Sequence, residues 1–266
     1  MHDFAYHRPK SLAEAAGLLG ANPDAKLLAG GMTLIPTMKQ RLASPSDLID
    51  LGGVSDLVGI SAGDREIVIG AMTTHAAVAA SPDVAARIPA LSALAGGIGD
   101  PQVRHRGTIG GSISNNDPAA DYPAGLVALA ATVVTDRRSI SADEFFVGMF
   151  ETALEPGEIV RQVRFAVPQR AAYMKFPNPA SRYAVAGVFV AQHADGVRVA
   201  VTGAGPVVFR VPEMEAALAA RFDPAAIEAI RVPADGLNSD PHATAEYRAH
   251  LVTVMARRAV AACQGV

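Results

Sequence analysis

Two glycine-paired segments stand out as places where the backbone itself could do chemistry: Leu28-Ala29-Gly30-Gly31-Met32-Thr33-Leu34 and Thr108-Ile109-Gly110-Gly111-Ser112. In each, an apolar residue precedes two residues without a Cβ. Positive φ is then open to the chain, and amide N–H groups can converge on an anion without side-chain obstruction. A helix after Gly31 would add its N-terminal dipole. Two such loops suit the two halves of a diphosphate. Neither contains the GxxxxGK[ST] lysine of a triphosphate site or a complete G-x-G-x-x-G, so a triphosphatase and a Rossmann nicotinamide site are disfavoured. No His/Asp/Glu cluster has metal-ligand spacing, and no Gly-x-Ser-x-Gly elbow is present.

The elements that must position these loops can be read from pattern. Ser11-Leu12-Ala13-Glu14 is a capping-box signature opening a helix from about Leu12 to Gly20. Lys26 to Ala29, the first glycine pair, and a helix within Thr33 to Leu42 with Pro36 in its first turn make a strand–turn–helix unit. Leu48 to Leu51 and Glu66 to Ile69 read as strands. Thr74 reads as a helix N-cap, and two short helices are expected between Thr74 and Gly97. A long glycine-, asparagine- and proline-rich connection without regular structure is expected from Gly96 to Pro123, where function is the usual reason for such length. Gly125 to Thr135 reads as one buried helix or strand, and Ile159 to Val167 as a strand. Beyond Tyr173, two strand-like runs joined by Asp195-Gly196 predict a hairpin. Helices are expected over Pro212 to Ala220, Pro224 to Ile230 and Thr244 to Ala262. With a boundary near residue 170, the chain divides into 1–55, 56–170 and 171–266.

Composition excludes several functions. The 266 residues carry 23 basic and 26 acidic side chains, a net charge of −3, with no Trp and 5% aromatics. Nucleic-acid binding by a basic face or by aromatic stacking is therefore not expected. The longest apolar stretch, Ala124 to Val134, is too short to span a bilayer. The N-terminus shows no basic region followed by an apolar one, so a soluble, cytoplasmic protein is expected. The single cysteine, Cys263, cannot hold an iron–sulfur cluster, which takes about four thiolates.

Four motifs in order resemble those of a known family. They are Ala29-Gly30-Gly31-Met32-Thr33-Leu34-Ile35-Pro36-Thr37-Met38-Lys39-Gln40-Arg41-Leu42; Thr108-Ile109-Gly110-Gly111-Ser112-Ile113; Asp117-Pro118-Ala119-Ala120-Asp121-Tyr122-Pro123-Ala124; and the C-terminal Glu246-Tyr247-Arg248 with Arg257-Arg258-Ala259. Together they resemble the FAD-binding medium subunit of molybdenum hydroxylases, the group that includes xanthine dehydrogenase and carbon monoxide dehydrogenase. The resemblance implies an α+β protein with an FAD-binding fold of the vanillyl-alcohol oxidase type. Two α/β subdomains would be followed by a C-terminal three-stranded sheet with helices.

It further implies noncovalent FAD, with Leu28, Ala29, Gly30, Gly31, Met32, Thr33 and Leu34, together with Thr108, Ile109, Gly110, Gly111 and Ser112, around the diphosphate. Asp121 would bind ribityl or ribose hydroxyls, for which an acceptor-only carboxylate is suited. Lys175, the only lysine after Lys39, would lie near the isoalloxazine and stabilise negative charge on reduced flavin. Tyr183 would lie against the ring, and Ile98 and Ile159 would form apolar walls. Covalent attachment through His75 or His105 is disfavoured; Arg104 and Arg106 suit the diphosphate, a partner surface or, equally, plain solvated charge. Asn115-Asn116-Asp117-Pro118 stands where many relatives have His-Ala-Asp-Pro. Asn115 cannot titrate near neutrality as histidine does, so FAD binding is expected to survive with an altered potential or acceptor preference.

The function implied is electron transfer within a heterotrimer or its dimer. A large subunit with molybdenum cofactor would oxidise the substrate. A small subunit with two [2Fe-2S] clusters would relay electrons to FAD on this chain. An external acceptor, such as a quinone, NAD or oxygen, would then be reduced. The alternatives are a stand-alone flavoprotein dehydrogenase or oxidase, for which no acid/base set is evident, and a non-enzymatic nucleotide-binding scaffold.

Overall fold

The computed structural model describes residues 1–265 and contains three principal sheets, each with its own apolar packing. The first is parallel, with Asp47–Asp50 central between Ala5–His7 and Lys26–Leu28. Helix Leu12–Ala21 lies against it. Ser11 Oγ accepts from Glu14 N–H at 3.2 Å, while the Glu14 carboxylate reaches back to Lys10 N–H at 2.7 Å. This is a capping box displaced by one residue on its return bond.

The second sheet is antiparallel, in the order Ile60–Ala62, Glu66–Gly70, Val160–Ala166, Thr132–Thr135, Ser139–Ser141. Its helical cover differs from expectation. Three short helices, His75–Ala80, Pro82–Arg87 and Pro89–Gly96, replace the expected two. Pro82 and Pro89 each begin a helix, the position where a missing N–H costs nothing. The stretch from Gly96 to Pro123 is not an irregular connection. It contains helices Pro101–Arg106 and Ile109–Asn115. Asp100 Oδ1 caps the first through Val103 N–H at 2.9 Å, and Thr108 Oγ1 caps the second through Gly111 N–H at 3.1 Å. The Thr108 cap offsets the low helix propensity of Gly110 and Gly111. Gly125 to Thr135 is not one element either. Helix Tyr122–Ala128 ends and strand Thr132–Thr135 begins, with Ala130 at φ +48° between them.

The third sheet is antiparallel: Arg170–Pro177, Ala184–His193, Gly196–Thr202 and the two-residue Phe209–Arg210. It thus has a short fourth strand beyond the three expected. The Asp195-Gly196 hairpin is present, with Gly196 at φ +153°. Residues Ala184 to Ala191 are buried without alternation, because both faces of this strand are covered. Phe189 and Ala191 join the core of the second sheet, whereas Val188 and Val190 pack under helix Ala245–Cys263. The expected helix from Pro224 to Ile230 is a single 3₁₀ turn, Pro224–Ile227, and the Ile230 carbonyl accepts the Thr253 hydroxyl at 3.0 Å. Arg248, buried on the long helix, donates to the carbonyls of Val185 at 2.6 Å and Gly203 at 2.9 Å, and pairs with Asp240 at 2.6 Å. No helix among the described residues is long and apolar enough to cross a membrane.

Candidate cofactor site

A cleft of about 530 Å³ runs where the three sheet units meet, within the size range of small-molecule sites. Its walls include Ala29, Gly30, Gly31, Met32, Thr33 and Leu34 from the first glycine segment, and Thr108, Gly110, Gly111, Ser112 and Asn115 from the second. Ile98, Asp121, Ile159 and Tyr183 also line it.

The first segment leaves its backbone donors available. The N–H groups of residues 30 to 34 have no hydrogen-bond partner among the described residues, whereas Ile35 N–H already bonds to Gly31 O at 3.1 Å. Gly31 sits at φ +74°, a conformation that points successive amides to one side. Five donors on the cleft wall form a ready anion site. Gly30 lies so close to the Arg106–Gly107 peptide that an added Cβ would be 2.7 Å from Arg106 C and 2.8 Å from Gly107 Cα. The two glycine segments are therefore in near contact across this point.

The second segment is different. Ile109 N–H donates to Thr73 O at 3.1 Å, Gly110 N–H to Ala71 O at 2.8 Å, and Ser112 N–H to Thr108 O at 3.0 Å, while Gly111 N–H is taken by the Thr108 hydroxyl. Four of its five amides are taken within the protein, and Thr108 N–H alone has no partner among the described residues. Gly110 is small because a Cβ would be 2.6 Å from Ala71 Cβ. This segment offers side chains instead: Ser112, Ser114 and Asn115 line the wall. Asn116, next to Asn115, is buried at φ +43° and donates to the carbonyls of Gly148 and Glu151 at 2.8 Å each.

Three residues expected at the cofactor do not line the cleft. Ile109 is core. Leu28 ends a strand and packs beneath Gly31. Lys175 is turned toward Asp121, with Nζ 3.0 Å from Oδ1, and donates to Gly97 O at 2.9 Å. Tyr173, two residues earlier and hence on the same strand face, donates to Asp121 at 2.5 Å. Gly187 on the neighbouring strand makes room for that hydroxyl. Burial pushes the Asp121 carboxyl up, opposed by Lys175 and Tyr173. The same burial, with Asp121 alongside, pushes the Tyr173 phenol far up. Asp121 thus meets the cleft as part of a buried, charge-balanced trio, and the Lys175 charge is largely spent on it.

Other wall positions follow from local devices. Arg104 donates to Ile98 O at 3.0 Å and Gly99 O at 3.1 Å, so with Lys175 it pins the turn carrying Ile98. Asn178 Oδ1 accepts from Ala180 and Ser181 N–H and shapes the loop that presents Tyr183, which is 47% exposed. Burial and the nearby Asp117 and Asp121 carboxylates raise the Tyr183 phenol. Sequence reasoning did not single out Met72, Val103, Gly107 or Val160, all of which line the cleft, or His75 as a noncovalent contact. Their only sequence signal was proximity to the caps and strands that frame the glycine segments.

A cleft with a row of unpaired amides, hydroxyls opposite them and apolar walls defines a protein that holds a dinucleotide by its diphosphate, and the residues present fit FAD. Residues 2–169 match the FAD binding domain in molybdopterin dehydrogenase, and residues 171–263 the CO dehydrogenase flavoprotein C-terminal domain. The chain is 39% identical to the carbon monoxide dehydrogenase medium chain of Hydrogenophaga pseudoflava, over 97% of this chain and 96% of that one. It is 38% identical to the nicotine 6-hydroxylase medium subunit of Paenarthrobacter nicotinovorans, over 96% and 95%. It superimposes on reconstituted CO dehydrogenase from Oligotropha carboxidovorans with a TM-score of 0.90 at 36% identity, covering 99% of this chain and 98% of that one. The chain belongs to the FAD-binding medium subunits of the molybdenum hydroxylases.

Proposed function

We propose that this chain holds FAD noncovalently between its glycine segments and relays electrons from the [2Fe-2S] clusters of a small subunit to an external acceptor, while a large subunit carries the molybdenum cofactor. The observation that carries this reading is the set of unpaired amides at residues 30 to 34 beside Ser112 and Asn115. Bound FAD supplies the chemistry, taking electrons singly and passing them on singly or in pairs. The chain's own residues bind and orient it. Backbone amides hold the diphosphate, and Ser112 and Asn115 contact it or the adjoining ribityl chain. Asp121 accepts from a ribityl or ribose hydroxyl, held in place by Tyr173 and Lys175. Tyr183 covers the ring, and Ile98 and Ile159 keep its surroundings dry. Iron–sulfur clusters belong to another chain because one cysteine cannot bind one. We assign the regions 1–55, 56–170 and 171–266 as two FAD-binding subdomains and a C-terminal domain, in a cytoplasmic heterotrimer or its dimer.

Co-expression with the genes that flank this one tests the reading. Flavin absorption on this chain, with iron and molybdenum on co-purifying chains, supports it. A flavoprotein that purifies alone and turns over a small substrate would replace it with the stand-alone dehydrogenase.

A further inference from the structure

We propose that His75 is a noncovalent FAD ligand whose Nε2–H donates a hydrogen bond to a diphosphate oxygen held by the amides of residues 30 to 34. The proposal rests on the flavin reading above and adds a side chain beside the junction of the two glycine segments.

His75 is only 4% exposed, yet it lines the cleft. Its position is fixed by the backbone. Thr74 caps its helix, His75 N–H donates to Gly107 O at 3.0 Å, and Thr74 bridges Thr108 in antiparallel fashion. The ring lies against Gly107, where an added Cβ would be 2.6 Å from Nε2. Gly107 is in turn the residue on which Gly30 packs. The imidazole therefore stands beside the junction of the two glycine segments.

Neither ring nitrogen makes a hydrogen bond among the described residues, and Nδ1 is fully enclosed, with the Tyr122 ring centroid 5.4 Å from its own. Nδ1 is out of reach of any ligand, whereas Nε2 keeps access to the cleft, so Nε2 is the nitrogen that can take a partner from a ligand. A proton on Nδ1 would strand a donor inside the protein. A proton on Nε2 strands only the more tolerable acceptor and places the donor beside Gly107. Burial, with the Arg104 cation nearby, lowers the His75 pKa to about 4, so the ring is neutral at pH 7 and carries one N–H. A neutral N–H is what an anionic oxygen accepts from without adding a buried charge.

The test uses the full-length chain stripped of flavin and titrated with FAD. His75→Phe keeps the ring and its contact with Tyr122 but removes the donor, and should raise the FAD Kd about 10- to 100-fold. His75→Gln places an amide N–H at similar reach and should stay within about fivefold of wild type. On the wild-type chain, ¹⁵N imidazole spectra should show the proton on Nε2 and a shift of that signal when FAD is added. Wild-type affinity in a folded His75→Phe chain would overturn the proposal, as would an Nε2 signal indifferent to FAD. Should His75→Phe not fold, the His75→Gln affinity and the wild-type spectra decide the matter. Failure of the wild-type chain itself to bind FAD would overturn both this proposal and the flavin reading.

Discussion

Gly30 packs directly on the peptide between Arg106 and Gly107, so the loop that offers a row of free amides is held against the loop that keeps only that of Thr108. The contact involves backbone on both sides, and neither can yield as a flexible side chain would. Gly30→Ala should push the loops apart. FAD affinity should fall by more than tenfold, measured by fluorescence titration, and the thermal midpoint should fall as well because the displaced atoms are main chain.

The two glycine segments should separate in their mutational signatures. Gly110→Ala puts a methyl group 2.7 Å from Ala71 O and should lower the melting temperature of the flavin-free chain by several degrees. Ser112→Ala removes only a cleft hydroxyl. It should leave that melting temperature nearly unchanged while weakening FAD about three- to tenfold. Equal melting losses in both variants would contradict the division of labour.

Lys175→Met leaves the buried Asp121 carboxylate with Tyr173 as its only polar side-chain partner among the described residues. Breaking a buried pair from one side costs about 3 kcal/mol or more. The variant should therefore lose stability in denaturant titrations, and Asp121→Asn in the same chain should recover part of it. A flavin potential changed without any stability loss would instead place the Lys175 charge at the ring.

Glu158 gives a pH dependence. Its carboxylate is buried and accepts from Arg138 at 3.0 Å, from Glu155 N–H and from Thr135, and Arg138 above all holds its pKa down to about 2. A depressed carboxylate stabilises the fold above its unfolded value, 4.5, and that contribution is lost as pH falls toward 2. Glu158→Gln should cost about 2 kcal/mol at pH 7, and the gap from wild type should narrow progressively below pH 4.5. Unfolding curves at pH 7, 4 and 3 check this.

Local signals were legible wherever a few adjacent residues settle the outcome. Ser11 and Thr74 cap helices, Asp195-Gly196 turns a hairpin, and the alternation from Ile159 to Val167 is a strand, because each depends on backbone preferences within a few residues. The stretch from Gly96 to Pro123 misled because its glycines and prolines look like loop material, while Asp100, Pro101 and Thr108 start two helices there.

By itself the sequence determined the two glycine segments, the absence of a thiolate set, and the motif order that marks the family; these are properties of residue type and spacing. Only the tertiary structure decided which segment keeps its row of amides and which keeps one. The partners of Ile109 and Gly110 are the carbonyls of Thr73 and Ala71, nearly forty positions earlier, and no local pattern specifies that docking. The same is true of Asp121, at the start of helix Tyr122–Ala128, whose partners Tyr173 and Lys175 arrive from a strand some fifty positions later. Buried polar groups must find partners wherever the fold brings them, and that choice belongs to three-dimensional packing.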